Sequence, residues 1–387
     1  MINGMKKALF LSFFSVFLVL VSGCSIASNT TSLLFPAVPP DIVIPDKFDL
    51  TSLDTHIKDQ RYNLESSIEG YLFENTEVLI NGDDIEIRDT MFVNSQVFVN
   101  NRNNVSFHNS IFTGLSAYER TALMIYQSED ISVVNCQFND NYIGLGIHES
   151  KAEVTGNRFE NNNGHNALVI GEGSSVVVAG NYFYGSFPHA ILIMNREASP
   201  DAFVEITRNI IEYTGQDAID FEDYRNASHS LVTSNVIRNT GWSAIIVEYN
   251  SWEADITISD NWIEGTGIDW TLPVHALQPE KYQQGWGHGI LIEDSSLVSI
   301  ERNRITLAGQ NGIEIRNGRE VELKNNGIDC TQVAVAIYEY QISSLSRPFS
   351  PLLQENAGGS RVVARDNIIY EASQDYEVDE ESELVLD

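Results

Sequence analysis

One short pattern, an alternating apolar pair followed by Asn-x-apolar, returns along most of this chain and limits what it can fold into. It reads "VTGNRF" at Asn157, "VAGNYF" at Asn181, "ITRNII" at Asn209, "VTSNVI" at Asn235, "ISDNWI" at Asn261, "IERNRI" at Asn303, "LKNNGI" at Asn326 and "ARDNII" at Asn367. Thr90, Ser110 and Cys136 hold the same place in earlier copies. The steps run from 20 to 28 residues, apart from 261 to 303 and 326 to 367. Periods of this size mark a solenoid. Each unit holds short runs of alternating apolar residues rich in Val and Ile, with no helical period and no leucine-repeat spacing. The pattern predicts an all-β chain, a parallel β-helix with three short strands per coil and about eleven coils. A side-chain amide carries both donor and acceptor, so Asn side chains stacked at one corner bond one another as an asparagine ladder.

The ends read differently. Lys6 and Lys7 precede an apolar run from Ala8 to Val21, too short for a confident span and shaped like a secretory leader. The following "LVSGC" resembles the lipobox of bacterial lipoproteins, which implies cleavage after residue 23 and a lipid on Cys24. Ser25 after that Cys implies the outer membrane, if the source is Gram-negative. Residues 24–46 then form a tether, and 47–76 an N-terminal cap with an amphipathic helix over 50–66. The solenoid occupies 77–374, and 375–387 is an acidic solvated tail. Insertions at 268–287 and 342–359 interrupt two coils, and long loops on a rigid scaffold often carry function. Cys136 and Cys330 sit on distant repeats and are expected as buried free thiols.

Charge narrows the partners. The chain of 387 residues has a net charge of −31 and 43% hydrophobic residues. That composition sustains a large core and excludes nucleic acid, whose phosphates need clustered Lys and Arg. An anionic partner would require a divalent cation or a local Arg.

The second strand of each coil aligns by its apolar pair: "HNALVIGE" from His165, "PHAILIMN" from Pro188, "QDAIDFED" from Gln216, "WSAIIVEY" from Trp242, "GHGILIED" from Gly287 and "QNGIEIRN" from Gln310. Coils stack at about 4.8 Å, so aligned residues form columns. One column is Asn166, His189, Asp217, Ser243, His288, Asn311. Another is Gly171, Met194, Glu222, Glu248, Glu293, Arg316. Asp220 and Glu314 lie between the apolar pairs, and Asp223 and Asp294 follow the outer acids. Like charges on neighbouring rungs are unfavourable, so a raised pKa, a bound cation or catalysis is expected to account for them. A solvated acidic face is the alternative. Asp223 and Asp294 are the candidate metal ligands, with Ca²⁺ the ion that suits oxygen donors. Trp242, Tyr249, Trp270, Tyr282 and Trp286 are candidate walls of a sugar-binding groove, with Arg316 as a further substrate contact.

The repeat resembles the right-handed parallel β-helix (pectin-lyase-like) superfamily over roughly residues 75–374. That resemblance implies the handedness of the coil. Within it, polygalacturonase-type glycoside hydrolases carry N-T-D, D-D, G-H-G and R-I-K motifs. "GQDAID" is similar to the D-D element with Gln216 before Asp217, "GHGILI" matches G-H-G at Gly287–Gly289, and "NGIEIR" is similar to R-I-K. No N-T-D precedes Asp217, and Glu314 stands where the Arg would be. The expected activity is hydrolysis of a polysaccharide by two carboxylates drawn from Asp217, Asp220, Glu222, Glu248 and Glu293, with His288 orienting substrate. No cofactor is required for that chemistry. Two alternatives stay open: a non-catalytic module that binds a surface glycan, and a Ca²⁺-dependent lyase or epimerase with His288 or His275 as base.

Overall fold

Each corner of the solenoid is turned by a residue in the left-handed conformation, and this is why Asn, Asp and Gly punctuate the repeat. In one coil these are Asn161 (φ 54°), Gly173 (φ 63°) and Gly180 (φ 63°). A left-handed residue bends the chain sharply, and Gly, Asn and Asp tolerate it best. The computed structural model describes residues 41–51, 53–196, 200–224, 229–249, 255–267, 287–329, 332–338, 360–369, 372, 374–380 and 382–386. All lie in one compact unit, Leu34–Asp387. Their regular elements are all strands, arranged as three parallel sheets of 13 strands. The chain visits the sheets in turn: Arg158–Glu160 in sheet I, Asn166–Ile170 in sheet II, Ser175–Ala179 in sheet III, then Tyr182–Tyr184 in sheet I again.

Alternation places the core. Ser175–Ala179 buries Val176 and Val178 while Ser175, Val177 and Ala179 face outward. Three inward faces meet along the axis in one continuous apolar column. In sheet I the inward position is a run of aromatic rings: Phe73, Phe92, Phe112, Phe138, Phe159 and Phe183. Their planes are nearly parallel, with centroids 4.7 Å apart from Phe92 through Phe159. From Ile211 onward the same column is Ile.

The asparagine ladder is present at the corner between sheets III and I. Asn157, Asn181, Asn209, Asn235, Asn261, Asn303 and Asn326 each donate Nδ2 to the Oδ1 of the next, ending on Asn367, at 2.9–3.1 Å. Asn209 shows the full valence: its Oδ1 accepts from Asn181 N and Nδ2, and its Nδ2 donates to Val178 O and Asn235 Oδ1. No donor or acceptor of that buried amide is left over. Cys136 joins the ladder through its backbone N, 2.7 Å from Asn157 Oδ1. Its buried thiol is free, and burial pushes its pKa up to about 12. Cys330 lies outside the described residues.

The solenoid is longer than the sequence pattern suggested, by a coil at its N-terminal end and by the last two strands at its C-terminal end. Residues 50–66 are not a helix: Thr55–Lys58 and Arg61–Leu64 are the first strands of sheets I and II. Leu50, Leu53, Ile57 and Leu64 mimic helical spacing, but Ile57, Tyr62 and Leu64 alternate and bury themselves by twos. The acidic tail is likewise built into the last coil as Gln374–Val378 and Glu383–Leu386. Part of the expected tether, from Asp41, lies against the outside of sheet I. There Ile42 packs on Tyr182, Ile210 and Val236, and Arg158 Nη1 donates to Pro45 O at 2.8 Å.

Candidate functional site

Register on sheet II confirms the stacked columns. Met194, Glu222, Glu248, Glu293 and Arg316 are successive partners, as are Leu192, Asp220, Ile246, Leu291 and Glu314. The second of these columns points outward yet is buried throughout, so Asp220 and Glu314 are sheltered acids in an otherwise apolar row. They do not form one patch. The structure sorts the acids into two clusters.

The first cluster is built around His189, at the start of the strand His189–Asn195. Its Nδ1 lies 3.5 Å from Asp217 Oδ2 on the next coil, and its Nε2 lies 3.5 Å from Asp220 Oδ2. Asp217 Oδ1 accepts from Ser243 N at 2.9 Å. Burial pushes the Asp217 carboxyl up to about 7, with the Ser243 bonds pulling the other way. Burial also pushes the His189 imidazole down to about 3, helped by nearby His165. A neutral imidazole therefore sits between a carboxyl that titrates near neutrality and a second carboxyl. Glu222 and Glu248, half-buried, extend the cluster: oxygens of Asp220, Glu222 and Glu248 lie within 4.8 Å of one another. Arg196 reaches both Glu222 and Asp223, at 3.4 and 3.3 Å.

The second cluster repeats the arrangement and closes it. His288, fully buried, lies 3.2 Å from Glu314 Oε2 on the next coil. Asn311 holds the place of Asp217 and donates to that same Glu314 oxygen. Arg316 donates to Glu314 through Nε and to Glu293 Oε2 through Nη1 at 3.1 Å. Tyr249 OH donates to the other Glu293 oxygen at 2.8 Å. Burial depresses the His288 pKa to about 3, with Arg316 adding to it. Burial opposes the charge on Arg316, but Glu314 and Glu293 outweigh it and raise its pKa. Glu293 is thus committed at both oxygens, and the expected row of three acids breaks between Glu248 and Glu293.

Either group of the first cluster, His189 with Asp217 and Asp220 or Asp220 with Glu222 and Glu248, offers donor atoms close enough for a metal ion. The oxygen-only group is the one that suits a hard cation. Asp223 and Asp294, expected as ligands, are instead corner residues with φ of 54° and 48°. Asp223 is the extra residue of a bulge opposite Met194–Asn195, and Asp294 accepts from Asn317 Nδ2 at 2.8 Å. A whole coil, with Tyr249 at the equivalent corner, separates them.

Trp242 and Tyr249 are half-buried at the edges of sheet II. Trp270, His275, Tyr282, Trp286 and Cys24 lie outside the described residues. Sequence reasoning placed His189 and Glu314 in their columns without seeing that each completes a His–acid pair. The available signal was the recurrence of a His one coil before an outward acid in a buried row.

Comparison with known proteins bears on the fold. A family model described as "Right handed beta helix region" matches residues 95–227, and one described as "Periplasmic copper-binding protein (NosD)" matches 201–345. No curated protein matches the chain by sequence. Among solved structures, the catalytic domain of a GH87 alpha-1,3-glucanase in complex with tetrasaccharides aligns with TM-score 0.60 at 11% identity. That alignment covers 85% of this chain but only 63% of the glucanase. A PL6 alginate lyase in complex with a trisaccharide aligns with TM-score 0.55 at 13% identity, covering 85% of this chain and 80% of the lyase. The periplasmic alginate epimerase AlgG, as a double mutant, gives 0.53 at 14%, covering 83% and 77%. At these identities the likeness is one of fold: this chain is a right-handed parallel β-helix.

Proposed function

We propose that this chain is an exported, lipid-anchored enzyme that hydrolyses a neutral polysaccharide at the His189 cluster. One observation carries the reading: a buried carboxyl titrating near 7, Asp217, lies across a neutral imidazole from an outward carboxyl, Asp220, which is itself beside Glu248. Glycoside hydrolysis needs one protonated and one ionised carboxyl side by side. Asp217 stores the proton and His189 passes it to Asp220. Asp220 protonates the glycosidic oxygen as its bond to the anomeric carbon breaks, and Glu248 attacks that carbon to form an ester. Asp220 then takes a proton from water, whose oxygen displaces Glu248. Asp220 and Glu248 present oxygens within 4.8 Å of each other, which favours this two-step retaining course, with carboxyls about 5 Å apart, over an inverting one.

Charge favours a neutral substrate. Arg316 is spent on Glu293 and Glu314, and Arg196 on Glu222 and Asp223. A uronate chain approaching a protein of net charge −31 would find both described arginines at the two clusters already paired with acids. The two glycan-bound neighbours and the periplasmic one are consistent with an exported enzyme acting on polysaccharide. The test is release of reducing ends from a panel of neutral polysaccharides by wild type, Asp220→Asn and Glu248→Gln. Release by wild type and loss in both variants is expected; release that survives both substitutions sinks the assignment. Palmitate labelling in cells, absent in Cys24→Ala, tests the anchor.

The oxygen-only group of Asp220, Glu222 and Glu248 favours a second reading, a Ca²⁺-dependent lyase. Unsaturated uronate products that vanish with a chelator would establish it instead.

A further inference from the structure

At the corner between sheets I and II, partly exposed rings follow one another along the solenoid and lead to the first acid cluster. Tyr118, 75% exposed, meets Tyr142 of the next coil edge-on at 5.4 Å between centroids. Tyr142 in turn stacks on His165, one coil further, at 6.2 Å and 28° between planes. Gly164 makes room for this: a Cβ there would stand 2.0 Å from the Tyr142 ring, so only glycine lets that ring lie along the corner. The device recurs at Phe187, whose ring occupies the space a Cβ on Gly215 would need, 2.1 Å away. Trp242 stands at the same corner one coil beyond Gly215, its backbone N–H donating to Gln216 O at 3.2 Å. Asn166 joins the row to the acids: its Nδ2 meets His165 Nδ1 at 2.6 Å, and its Oδ1 accepts from the backbone N of His189 at 3.2 Å.

Exposed aromatic surface takes the apolar C–H face of a sugar, and these rings follow one another, one per coil, at 5.4 and 6.2 Å, on the scale of a sugar ring. Simple core packing does not account for the row, because these rings stand outside the apolar column on the solenoid axis. At the clusters to which the row leads, Arg196 and Arg316 are committed to acids, and Arg120 beside Tyr118 is a lone cation on a chain of net charge −31, so the occupant that fits is uncharged. We infer that Tyr118, Tyr142 and His165 form glycan-binding subsites that carry a neutral polysaccharide along the solenoid axis into the His189 cluster. The inference rests on the polysaccharide reading above and adds the site, the direction and the side of the cluster from which the chain extends.

The test uses the lipid-free chain from residue 25 in native gels cast with laminarin, glycogen or hydroxyethylcellulose, and with alginate as the anionic control. Tyr118→Ala, Tyr142→Ala and Tyr142→Phe are compared with wild type, and thermal unfolding verifies the fold of each. Retardation of wild type by a neutral polymer, weakened about tenfold in each Ala variant and kept in Tyr142→Phe, supports the subsites. A KM for the retarding polymer that rises in the Ala variants at unchanged kcat supports them further. Ala variants retarded as strongly as wild type overturn the inference while leaving hydrolysis standing. Retardation lost in the Ala variants of a chain that releases no reducing ends keeps the subsites and removes the hydrolase. A wild type retarded by no neutral polymer overturns the subsites.

Discussion

His189 Nε2 faces Asp220 Oδ2 across one coil step at 3.5 Å, and three coils further His288 faces Glu314 Oε2 through its other ring nitrogen, Nδ1, at 3.2 Å. The two pairs share a backbone frame, with Asp217 and Asn311 three residues before the acid in each. They differ in compensation. Arg316 sits between the two acids of the second cluster and offsets one of their charges, whereas in the first Arg196 reaches only Glu222 and Asp223 and the buried carboxyl of Asp217 is compensated by a proton. The excess negative charge of the face is therefore concentrated where chemistry is proposed.

Asp217→Asn tests that proton directly, and the fold already accepts Asn at the equivalent position, Asn311. The folded carboxyl holds its proton up to about 7, against an ordinary value of 3.8. Below 3.8 both states are protonated and no penalty arises. Between 3.8 and 7 the unfolded chain releases the proton first, so stability falls as pH rises, and above 7 the loss is complete. The variant is expected to gain stability over wild type at pH 8 and to match it near pH 3, read by denaturant melts across pH. Its activity should drop and lose the decline that wild type shows as pH passes about 7. Equal pH dependence of the two melts would contradict the assignment.

Arg316→Met leaves Glu293 and Glu314 buried without their cation. Breaking a buried pair from one side costs about 3–5 kcal/mol. Adding Glu293→Gln and Glu314→Gln to the same chain should recover most of that loss. Urea unfolding of the single and triple variants checks it, and a single variant as stable as wild type would show that the network carries no charge.

These two clusters also mark where the sequence stopped being readable. The columns were legible because a β-strand alternates with a fixed period of two, so aligning one apolar pair placed Glu222, Glu248, Glu293 and Arg316 on successive rungs. Which way each side chain turns was not, because that depends on partners far along the chain: Glu293 turns to Arg316 and Tyr249 instead of toward Glu248. The ladder was legible because a buried amide is satisfied best by its own kind. The apolar position two residues beyond each ladder residue was legible as part of the repeat, but its filling by a stack of rings, Phe92, Phe112, Phe138, Phe159 and Phe183, was not, because stacking depends on register between coils. Charge concealed the last coil, where Glu383 and Asp375 flank strands that pair like any other.

Asn209→Ala removes an acceptor from Asn181 N and Nδ2 and a donor from Val178 O and Asn235 Oδ1. Each buried group left unpaired costs about 1–3 kcal/mol, so the loss should exceed that of an average core truncation. Asn209→Asp keeps the shape but loses both donors, and its destabilisation should grow as pH rises through the carboxylate range. Calorimetry at pH 4 and pH 8 separates the two effects.

Phe138→Ala opens a gap between rings stacked at 4.7 Å on either side. A cost of about 3–5 kcal/mol is expected for a buried Phe. Phe138→Ile should cost only a fraction of that, since Ile fills the same column from Ile211 onward. A denaturation midpoint unchanged in Phe138→Ala would mean that the stack is not a stabilising element.

If Glu248 attacks the sugar while Asp220 supplies the proton, azide can take the place of the missing carboxylate. Glu248→Ala would be incubated with a polysaccharide that wild type cleaves, with and without sodium azide. Negligible cleavage alone and restored cleavage with azide are expected, yielding a glycosyl azide of anomeric configuration opposite to the wild-type product. No azide adduct from Glu248→Ala, together with inverted products from wild type, would contradict it.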